Sequence, residues 1–206
     1  MATSNTQRSE RNPDKTRQVI LQAAFMEIYR KGYQGMRLDS VLAETGLTKG
    51  ALYHHFSNKQ SLGYAVVEDV IQPMMASIWE EPLIAADDPL AALAEVIETL
   101  PDKKPRELIL FGCPLNNLIQ EMSPQDSGFR ERLDTVMSNW HATTEKALIN
   151  AQEKEFIRAD IDCHETATFI MAALEGCIGL AKSAQSVDRL RSCLRGLTQY
   201  LQSLEN

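Results

Sequence analysis

The spacing of the apolar residues constrains the fold of this chain more than any other feature of its sequence. From residue 14 onward, apolar side chains recur every three or four positions, which is the repeat of one face of an α-helix. No segment has the convincing alternation of apolar and polar residues that is typical of a half-buried β-strand. The first apolar stripe consists of Ile20, Leu21, Ala24, Phe25 and Ile28. The sequence therefore predicts an all-α protein.

Glycines, prolines and capping residues divide this pattern into separate helices. Asp14 is placed to cap the first helix and Gly32 to end it. A fourth helix starts after Ser57-Asn58 and runs towards Trp79, and Glu81-Pro82 is placed to stop it. The other predicted helices lie at about 37–45, 48–55, 88–100, 105–121, 126–153, 162–182 and 186–204.

Charge is distributed unevenly between three predicted parts of the chain. We expect a disordered arm at residues 1–13, a three-helix domain at 14–60 and a larger helical domain at 61–206. Residues 1–60 hold nine Lys or Arg against five Asp or Glu, so they carry +4, whereas the whole chain carries -7 and the remainder -11. Only the N-terminal part is therefore expected to meet a polyanion.

Cysteine usage and hydropathy indicate an ordinary cytoplasmic protein. Its four cysteines have no Cys-x-x-Cys spacing and no histidine at zinc-finger distance, so we expect buried reduced thiols and no metal site. No apolar run reaches the roughly 18 residues that span a membrane, and the N-terminus lacks a signal-peptide core. No phosphate loop or other cofactor motif is present, so no cofactor is predicted.

The two short helices at 37–45 and 48–55 have the length and punctuation of a helix-turn-helix. Gly46 permits the turn, Leu47 fills the angle between the helices, and Thr48 is a natural N-cap for the second helix. Such a second helix lies in the major groove of DNA. Its first turn is small apart from Lys49, which is positioned to contact a base, most simply guanine.

The segments ILQAAFMEIYRKGYQG and LTKGALYHHFSNKQSL make the resemblance specific. Over about residues 15–65 the chain resembles the N-terminal domain of TetR-family transcriptional repressors. The resemblance implies that Tyr53, His55 and Lys59 grip DNA, and it accounts for the absence of carboxylates from residues 47–59. The predicted DNA-binding residues are Arg37, Thr48, Lys49, Gly50, Tyr53, His54, His55 and Lys59.

One position departs from the family pattern. The second helix of the family usually begins with Ser or Thr, which caps the helix and touches a phosphate, but Met36-Arg37 stand there in this chain. Arg37 is able to contact a phosphate but not to supply the cap. The DNA contact is therefore expected here without the cap.

The last two helices are the candidates for a homodimer interface. Two such domains on a palindromic site are the usual solution to specific DNA binding, and the resemblance implies a four-helix bundle formed with a second subunit. Gly176, Gly179 and Ala184 would allow close approach of a neighbouring helix. The predicted interface residues are Ile170, Leu174, Ile178, Leu190, Leu194, Leu197 and Leu201. The same stripes would also suit the domain's own core.

A small-molecule effector site is predicted in the larger domain, where polar groups stand among apolar ones. Gly112-Cys113 followed by Asn117 resembles a subgroup of these repressors, some of which respond to reactive electrophiles or unsaturated metabolites. Asn116 and Leu115 accompany them. The predicted pocket residues are Met74, Met75, Trp79, Phe111, Cys113, Asn117, Gln120, Trp140 and His141.

These features predict a homodimeric repressor that leaves a palindromic operator when a small molecule binds. An alternative is a thiol-based sensor of electrophiles or oxidants acting through Cys113, although no Lys or Arg is adjacent to activate that thiol. A more distant alternative is a small enzyme using His141, Cys113 and Glu121. A non-specific architectural DNA binder is disfavoured because such proteins are basic throughout.

Overall fold

The protein is helical along almost all of the chain that the structure describes. The computed structural model describes residues 13–103 and 105–206. Within them, the extended pairing is a single antiparallel bridge between Ile157 and Glu205, and the all-α prediction is confirmed. The helices are α1 (Pro13–Gly35), α2 (Leu38–Thr45), α3 (Lys49–His55), α4 (Lys59–Val66), α5 (Gln72–Met75), α6 (Glu81–Ile84), α7 (Pro89–Lys103), α8 (Pro105–Phe111), α9 (Pro114–Met122), α10 (Ser127–Glu153), α11 (Cys163–Ala184) and α12 (Val187–Gln202).

The chain divides into two compact units, the first ending at Val66 and the second running from Val67 to Asn206. The division therefore falls a few residues after the predicted boundary at residue 60. All but the last residue of the predicted disordered arm at 1–13 lies outside the described residues, and that last residue, Pro13, begins α1.

The first unit is built around the apolar stripe of α1. Ile20, Leu21 and Ala24 have no exposed surface, and Leu52 of α3 and Phe56 are at most 3% exposed. Gln18, Gln22 and Arg30 are exposed, as the helical repeat predicts. A small three-helix core thus fixes α2 and α3, with α4 closing it.

The ends of α1 differ in how well the sequence predicts them. Gly32 leaves the helical conformation with φ 75°, so the regular helix breaks where predicted, although a further turn continues to Gly35. Asp14 lies inside the first turn rather than at the N-cap, because the helix already starts at Pro13. Its carboxylate still interacts favourably with the positive end of the helix dipole.

Residues 67–84, at the start of the second unit, remain helical through Pro82, and the predicted stop at Glu81-Pro82 is wrong. Two π-helical turns, Val67–Ile71 and Ala76–Glu80, alternate with α5 and α6. Pro73 and Pro82 each stand two residues after a π-helical turn. The wider turn relieves the clash between the proline ring and the preceding carbonyl, which ends a regular helix elsewhere.

The predicted helix at 105–121 is two helices. Gly112 adopts φ 79° and Cys113 is extended, so α8 ends and α9 starts anew with Pro114 in its first turn. In contrast, Pro101 does not end α7, which continues to Lys103.

The core of the second unit surrounds α10. Phe129, Leu133 and Trp140 of this 27-residue helix are at most 2% exposed. Asp126, Asp162 and Ser186 cap the starts of α10, α11 and α12 with side-chain hydrogen bonds. These caps explain why the three long helices begin within a few residues of their predicted positions.

The expectation of four reduced thiols is wrong for one pair. Cys177 and Cys193 form a disulfide that joins α11 to α12, with 5.4 Å between their Cα atoms. The two residues are 16 apart in sequence and lie on different helices, so their spacing alone does not identify them. Cys113 and Cys163 are free and buried, as expected.

Among the described residues, α11 is the one helix that by length and composition would be able to cross a membrane. Its side chains pack on α10 and α12, and its composition is that of a core helix. Only 39% of its most apolar part is buried, however, so α11 also carries apolar residues on its exposed side.

Candidate DNA-binding surface and sensing domain

The turn between α2 and α3 has the geometry that its sequence predicts. Gly46 adopts φ 65°, a left-handed conformation that suits glycine, and its N–H donates to the Leu42 carbonyl at 2.9 Å. Thr48 then caps α3, because its hydroxyl accepts from the Ala51 N–H at 3.2 Å. The left-handed turn at Gly46 and the N-cap at Thr48, within three residues of each other, therefore fix the start of α3.

The predicted DNA-binding side chains largely lie on the exposed side of the first unit. Tyr53 is 51% exposed, while His55 and Lys59 are half-buried. Around Gly50 an added Cβ would first meet the Thr48 hydroxyl at 3.9 Å, so the space beside the backbone is open. The exposed members of the set are Arg37, Thr48, Lys49, Gly50, Tyr53 and His54.

Lys49 has a partner that sequence analysis of residues 47–59 does not include. Its ammonium lies 3.2 Å from the Asp39 carboxylate of α2, and both side chains are 71% exposed. The two residues line a 230 Å³ groove between α2 and α3, together with Tyr53. A carboxylate therefore reaches a surface whose own segment has none, and it competes with any anion for Lys49.

Lys59 is held by the first unit itself. It begins α4 and its ammonium donates to the Gln34 carbonyl at 3.1 Å while lying 4.9 Å from the centre of the Tyr33 ring. Asn58 caps the same helix by accepting from the Ser61 N–H at 2.7 Å. An ammonium has three donors, so this anchoring leaves Lys59 able to contact a phosphate as well.

The missing cap of α2 is replaced from α1. Arg37 occupies the N-cap position and makes no side-chain cap bond, as predicted. The buried Glu27 carboxylate instead accepts from the Arg37 N–H and the Ser40 hydroxyl, and it pairs with Lys31 at 2.8 Å. Burial raises the pKa of Glu27, but the bonds from Lys31, Ser40 and Arg37 lower it more, so its net pKa is lowered. Sequence analysis missed this residue, a lone acid beside the apolar stripe.

The predicted dimer-interface residues are not on the surface of the single chain. Each of them is at most 4% exposed in the single chain, because the stripes of α11 and α12 face each other and the rest of the second unit. A side chain that is already buried gains nothing from a second copy. The residues concerned are Ile170, Leu174, Ile178, Leu190, Leu194, Leu197 and Leu201.

The opposite side of the same two helices carries the available apolar surface. Phe169 and Leu180 of α11 are 51% and 52% exposed. Beside Gly176, Gly179 and Gly196, an added Cβ would meet no atom within 4 Å. We call this surface the outer face of α11 and α12; it comprises Phe169, Ala172, Gly176, Gly179, Leu180, Ser192, Gly196 and Tyr200. The ring of Phe169 meets that of Tyr200 at 4.8 Å and joins the two helices.

The predicted pocket residues fall into three sets of contacts. In the first set, Trp79 and Trp140 are buried and their ring centres lie 5.1 Å apart. Met75 is 3% exposed and Met74 is half-buried. Large buried aromatic and methionine side chains at helical spacing are the usual content of a core.

The second set surrounds the break between α8 and α9. Cys113 is buried beside Glu175 of α11, a residue that sequence analysis missed. Burial, then the Glu175 charge, raises the pKa of Cys113 well above its ordinary value. Burial also raises the pKa of Glu175 despite hydrogen bonds with Cys113 and Asn116, and its Oε2 atom is buried without a hydrogen-bond partner. The pair is therefore a buried, incompletely satisfied polar group inside the domain.

Asn117 joins the same break to α11. Its amide donates to the Phe111 carbonyl at 2.6 Å, and its Oδ1 accepts from Lys182 at 3.0 Å. A Cβ added to Gly112 would lie 2.9 Å from the Lys182 side chain, so a larger residue would collide with α11. The φ of 79° at this position also favours glycine. Gln120 is exposed and bonds to Asn116, which places it at most at a pocket rim.

The third set contains His141, which does not share the side of Trp140. Consecutive helical residues point about 100° apart, so His141 meets α11 while Trp140 faces the core. The His141 ring lies 4.7 Å from that of His164, and Glu145 stands beside both. The pairing with His164, 23 residues away, has no sequence signal.

Comparison with known proteins identifies the family. Residues 20–66 match the family model for bacterial regulatory proteins of the tetR family, and residues 89–197 match the tetracyclin repressor-like C-terminal domain. An uncharacterized HTH-type transcriptional regulator from Lactococcus lactis is 30% identical, over 88% of this chain and 90% of that protein. The HTH-type transcriptional repressor DhaR from a Mycobacterium strain is 26% identical, over 79% and 80%.

Solved structures agree with this assignment. The regulatory protein TetR from Rhodobacter sphaeroides superposes with a TM-score of 0.81 at 27% identity, covering 90% of this chain and 98% of that one. The enzyme alternative built on His141, Cys113 and Glu121 has no support from these relatives, which are regulators. The chain belongs to the TetR family of bacterial regulatory proteins and is a ligand-responsive, DNA-binding regulator of transcription.

Proposed function

We propose that this protein is a homodimeric repressor that binds a palindromic operator and is released when a small molecule occupies its second unit. The observation that carries the proposal is the Gly46 turn followed by the Thr48-capped α3, whose polar and aromatic side chains are exposed. Release follows if the effector favours a dimer whose two α3 helices no longer match successive major grooves, about 34 Å apart. Such a protein acts in the cytoplasm, where the DNA is.

The proposed DNA-binding residues divide into those that contact phosphates and one that contacts a base. Arg37, Tyr53, the histidines and Lys59 are suited to phosphates, whereas Lys49 at the start of α3 is suited to a base edge. An operator selected from random duplexes, and a scrambled duplex of equal length, separate these roles in a fluorescence anisotropy titration at several salt concentrations. Lys49→Ala should lose preference for the operator over the scrambled duplex.

Lys59→Ala should weaken binding to both duplexes alike and reduce the slope of log affinity against log salt by about one. Because Lys59 also bonds Gln34, circular dichroism must show that the variant is folded. Lys146→Ala, an exposed lysine of the second unit, is the matched control and should leave both duplexes unaffected. Unchanged affinity and slope for folded Lys59→Ala would refute its phosphate contact.

The homodimer is proposed to form through the outer face of α11 and α12. Exposed Phe169 and Leu180 supply apolar area, and the open space beside Gly176, Gly179 and Gly196 admits a helix of a second copy at close range. An exposed apolar surface of this kind is typical of an interface. This surface replaces the buried stripes that the helical repeat singles out.

The effector site is proposed to include Cys113, Asn117 and Glu175. The unpaired Glu175 Oε2 offers a hydrogen-bonding anchor among apolar residues, which suits a small molecule held without a covalent bond. Burial of Cys113 and its raised pKa disfavour the thiol-sensor alternative, because the thiolate is the reactive form.

Cys113→Ser and Glu175→Gln distinguish these versions in the same anisotropy assay with a panel of candidate effectors. For a non-covalent effector, Cys113→Ser should keep the release of DNA and Glu175→Gln should impair it about tenfold or more. Loss of release in Cys113→Ser, with operator affinity intact, would instead establish the thiol switch. Release that is unchanged in both variants would move the effector site elsewhere in the second unit.

A further inference from the structure

Three metal-binding side chains converge where the middle of α10 meets the start of α11. His141 and Glu145 stand one turn apart on α10, and His164 is in the first turn of α11. One donor atom from each residue lies within 4.8 Å of the other two. Glu145 Oε2 is 3.3 Å from His164 Nδ1 and 3.6 Å from His141 Nδ1.

The hydrogen bonds around His141 determine which ring nitrogen faces this cluster. The Thr168 hydroxyl donates its proton to the His164 carbonyl at 3.0 Å. His141 Nε2 lies 3.0 Å from that same hydroxyl oxygen and 3.3 Å from the His164 carbonyl oxygen. Both neighbours then suit a proton on Nε2, and Nδ1 is the nitrogen that faces Glu145.

A metal ion placed between the three donor atoms would be held by one nitrogen of each histidine and by a carboxylate oxygen of Glu145. Histidine ligands in metal sites commonly bond their second nitrogen to a neighbouring oxygen, which fixes the ring. The bond from His141 to Thr168 is of that kind.

The distances suit a transition-metal ion. In a tetrahedral zinc site with bonds of about 2.0–2.2 Å, ligand atoms lie about 3.3–3.5 Å apart. Both distances to Glu145 are already close to this value. The His164 side chain is 68% exposed, so a change of its rotamer is able to bring its nitrogen closer to that of His141.

We infer that His141, Glu145 and His164 form a site for a divalent transition-metal ion, with zinc the best match to two imidazoles and one carboxylate. Three protein ligands leave at least one position for water or an exogenous ligand. A bound ion would fasten the start of α11 to α10. The regulator would thereby respond to a metal ion as well as to its small-molecule effector.

The test uses the full chain without a histidine tag, stripped of metal with a chelator. Isothermal titration with zinc chloride should show one ion bound per chain. His164→Ala and Glu145→Gln should each weaken that binding by about tenfold or more, and Thr168→Val by a smaller factor. Because His164 and Glu145 are partly exposed, neither substitution should unfold the chain.

The matched control removes the chain's other two histidines, His54 and His55. His54→Ala/His55→Ala should bind zinc as tightly as the unaltered chain. Titration with cobalt chloride adds a spectroscopic signature, since nitrogen and oxygen ligation gives visible bands without thiolate charge-transfer absorption. Absence of zinc binding, unchanged binding by His164→Ala, or a cobalt–thiolate band would each overturn the assignment.

Discussion

Helices α3 and α11 place their polar and apolar residues in opposite ways. Helix α3 has seven residues, of which Leu52 alone is buried, and its remaining side chains are exposed or half-buried. Helix α11 has 22 residues, nine of them buried, and still exposes Phe169 and Leu180. A short helix with one buried anchor is available to a ligand as large as DNA. A long helix that is apolar on two sides packs in its own core with one side and leaves the other side exposed for a partner.

The largest expected effect comes from placing a charge on the buried side of α11 and α12 rather than on their exposed side. Leu197 is 4% exposed in the single chain, so Leu197→Glu should lower the free energy of unfolding by about 3–5 kcal/mol by burying an unpaired charge. Leu180→Glu, on the outer face of α11 and α12, should instead give a folded monomer. Circular dichroism melting and sedimentation measure the two outcomes. A well-folded monomeric Leu197→Glu would restore the buried stripe as the dimer interface.

A smaller effect is expected from the link between α11 and α12. The disulfide Cys177–Cys193 closes a 16-residue segment, so Cys177→Ser/Cys193→Ser should lose about 2–4 kcal/mol of stability in denaturant unfolding. Reducing agent should lower the stability of the unaltered chain by a similar amount and leave the double variant unaffected. A double variant as stable as the oxidised chain would show that helix packing alone holds α12.

The first unit depends on a single buried acid. Glu27→Gln should destabilise the start of α2 by about 1–3 kcal/mol, because the amide keeps one acceptor oxygen but loses the charge and the second oxygen that the Arg37 N–H, Ser40 and Lys31 share. Hydrogen exchange at the amides of α2 measures this locally, and Glu44→Gln, an exposed acid of α2, is the control.

The same residue predicts a pH dependence with a definite sign. Its folded-state pKa is lowered from the ordinary value of 4.5, so its contribution is complete above that value and is lost as pH falls through the lower folded-state pKa. The difference between the unaltered chain and Glu27→Gln should therefore shrink in acid. A difference that grows as pH falls would contradict the assigned hydrogen bonds.

The smallest effect is expected at the exposed ion pair beside α3. Asp39→Asn removes a carboxylate that competes for Lys49 and repels phosphate, so DNA affinity should rise by about threefold at low salt. Asp69→Asn, an exposed acid of the second unit, should change affinity less. Anisotropy titration measures both. Weaker binding by Asp39→Asn would mean that the carboxylate orients Lys49 rather than competing for it.

Sequence alone predicts the first unit better than the second because its devices are local. Gly46 and Thr48 act within three residues, and α3 forms where they place it. The apolar repeat of α11 identifies a buried side, but it does not indicate which of two apolar sides meets a partner. Glu175, like Glu27, is a single polar residue whose role comes from another helix. His164 meets His141, and Cys177 meets Cys193, only after the helices have packed.

The cap that Glu27 supplies to α2 has a consequence for how this regulator changes over generations. Because Glu27 of α1 stabilises the start of α2, the side chain of residue 37 is not needed to cap that helix. Substitutions at this exposed position should therefore carry little risk to the fold. Position 37 is thus able to diverge among the descendants of this protein, because the acid that secures α2 contacts the backbone at that position rather than its side chain.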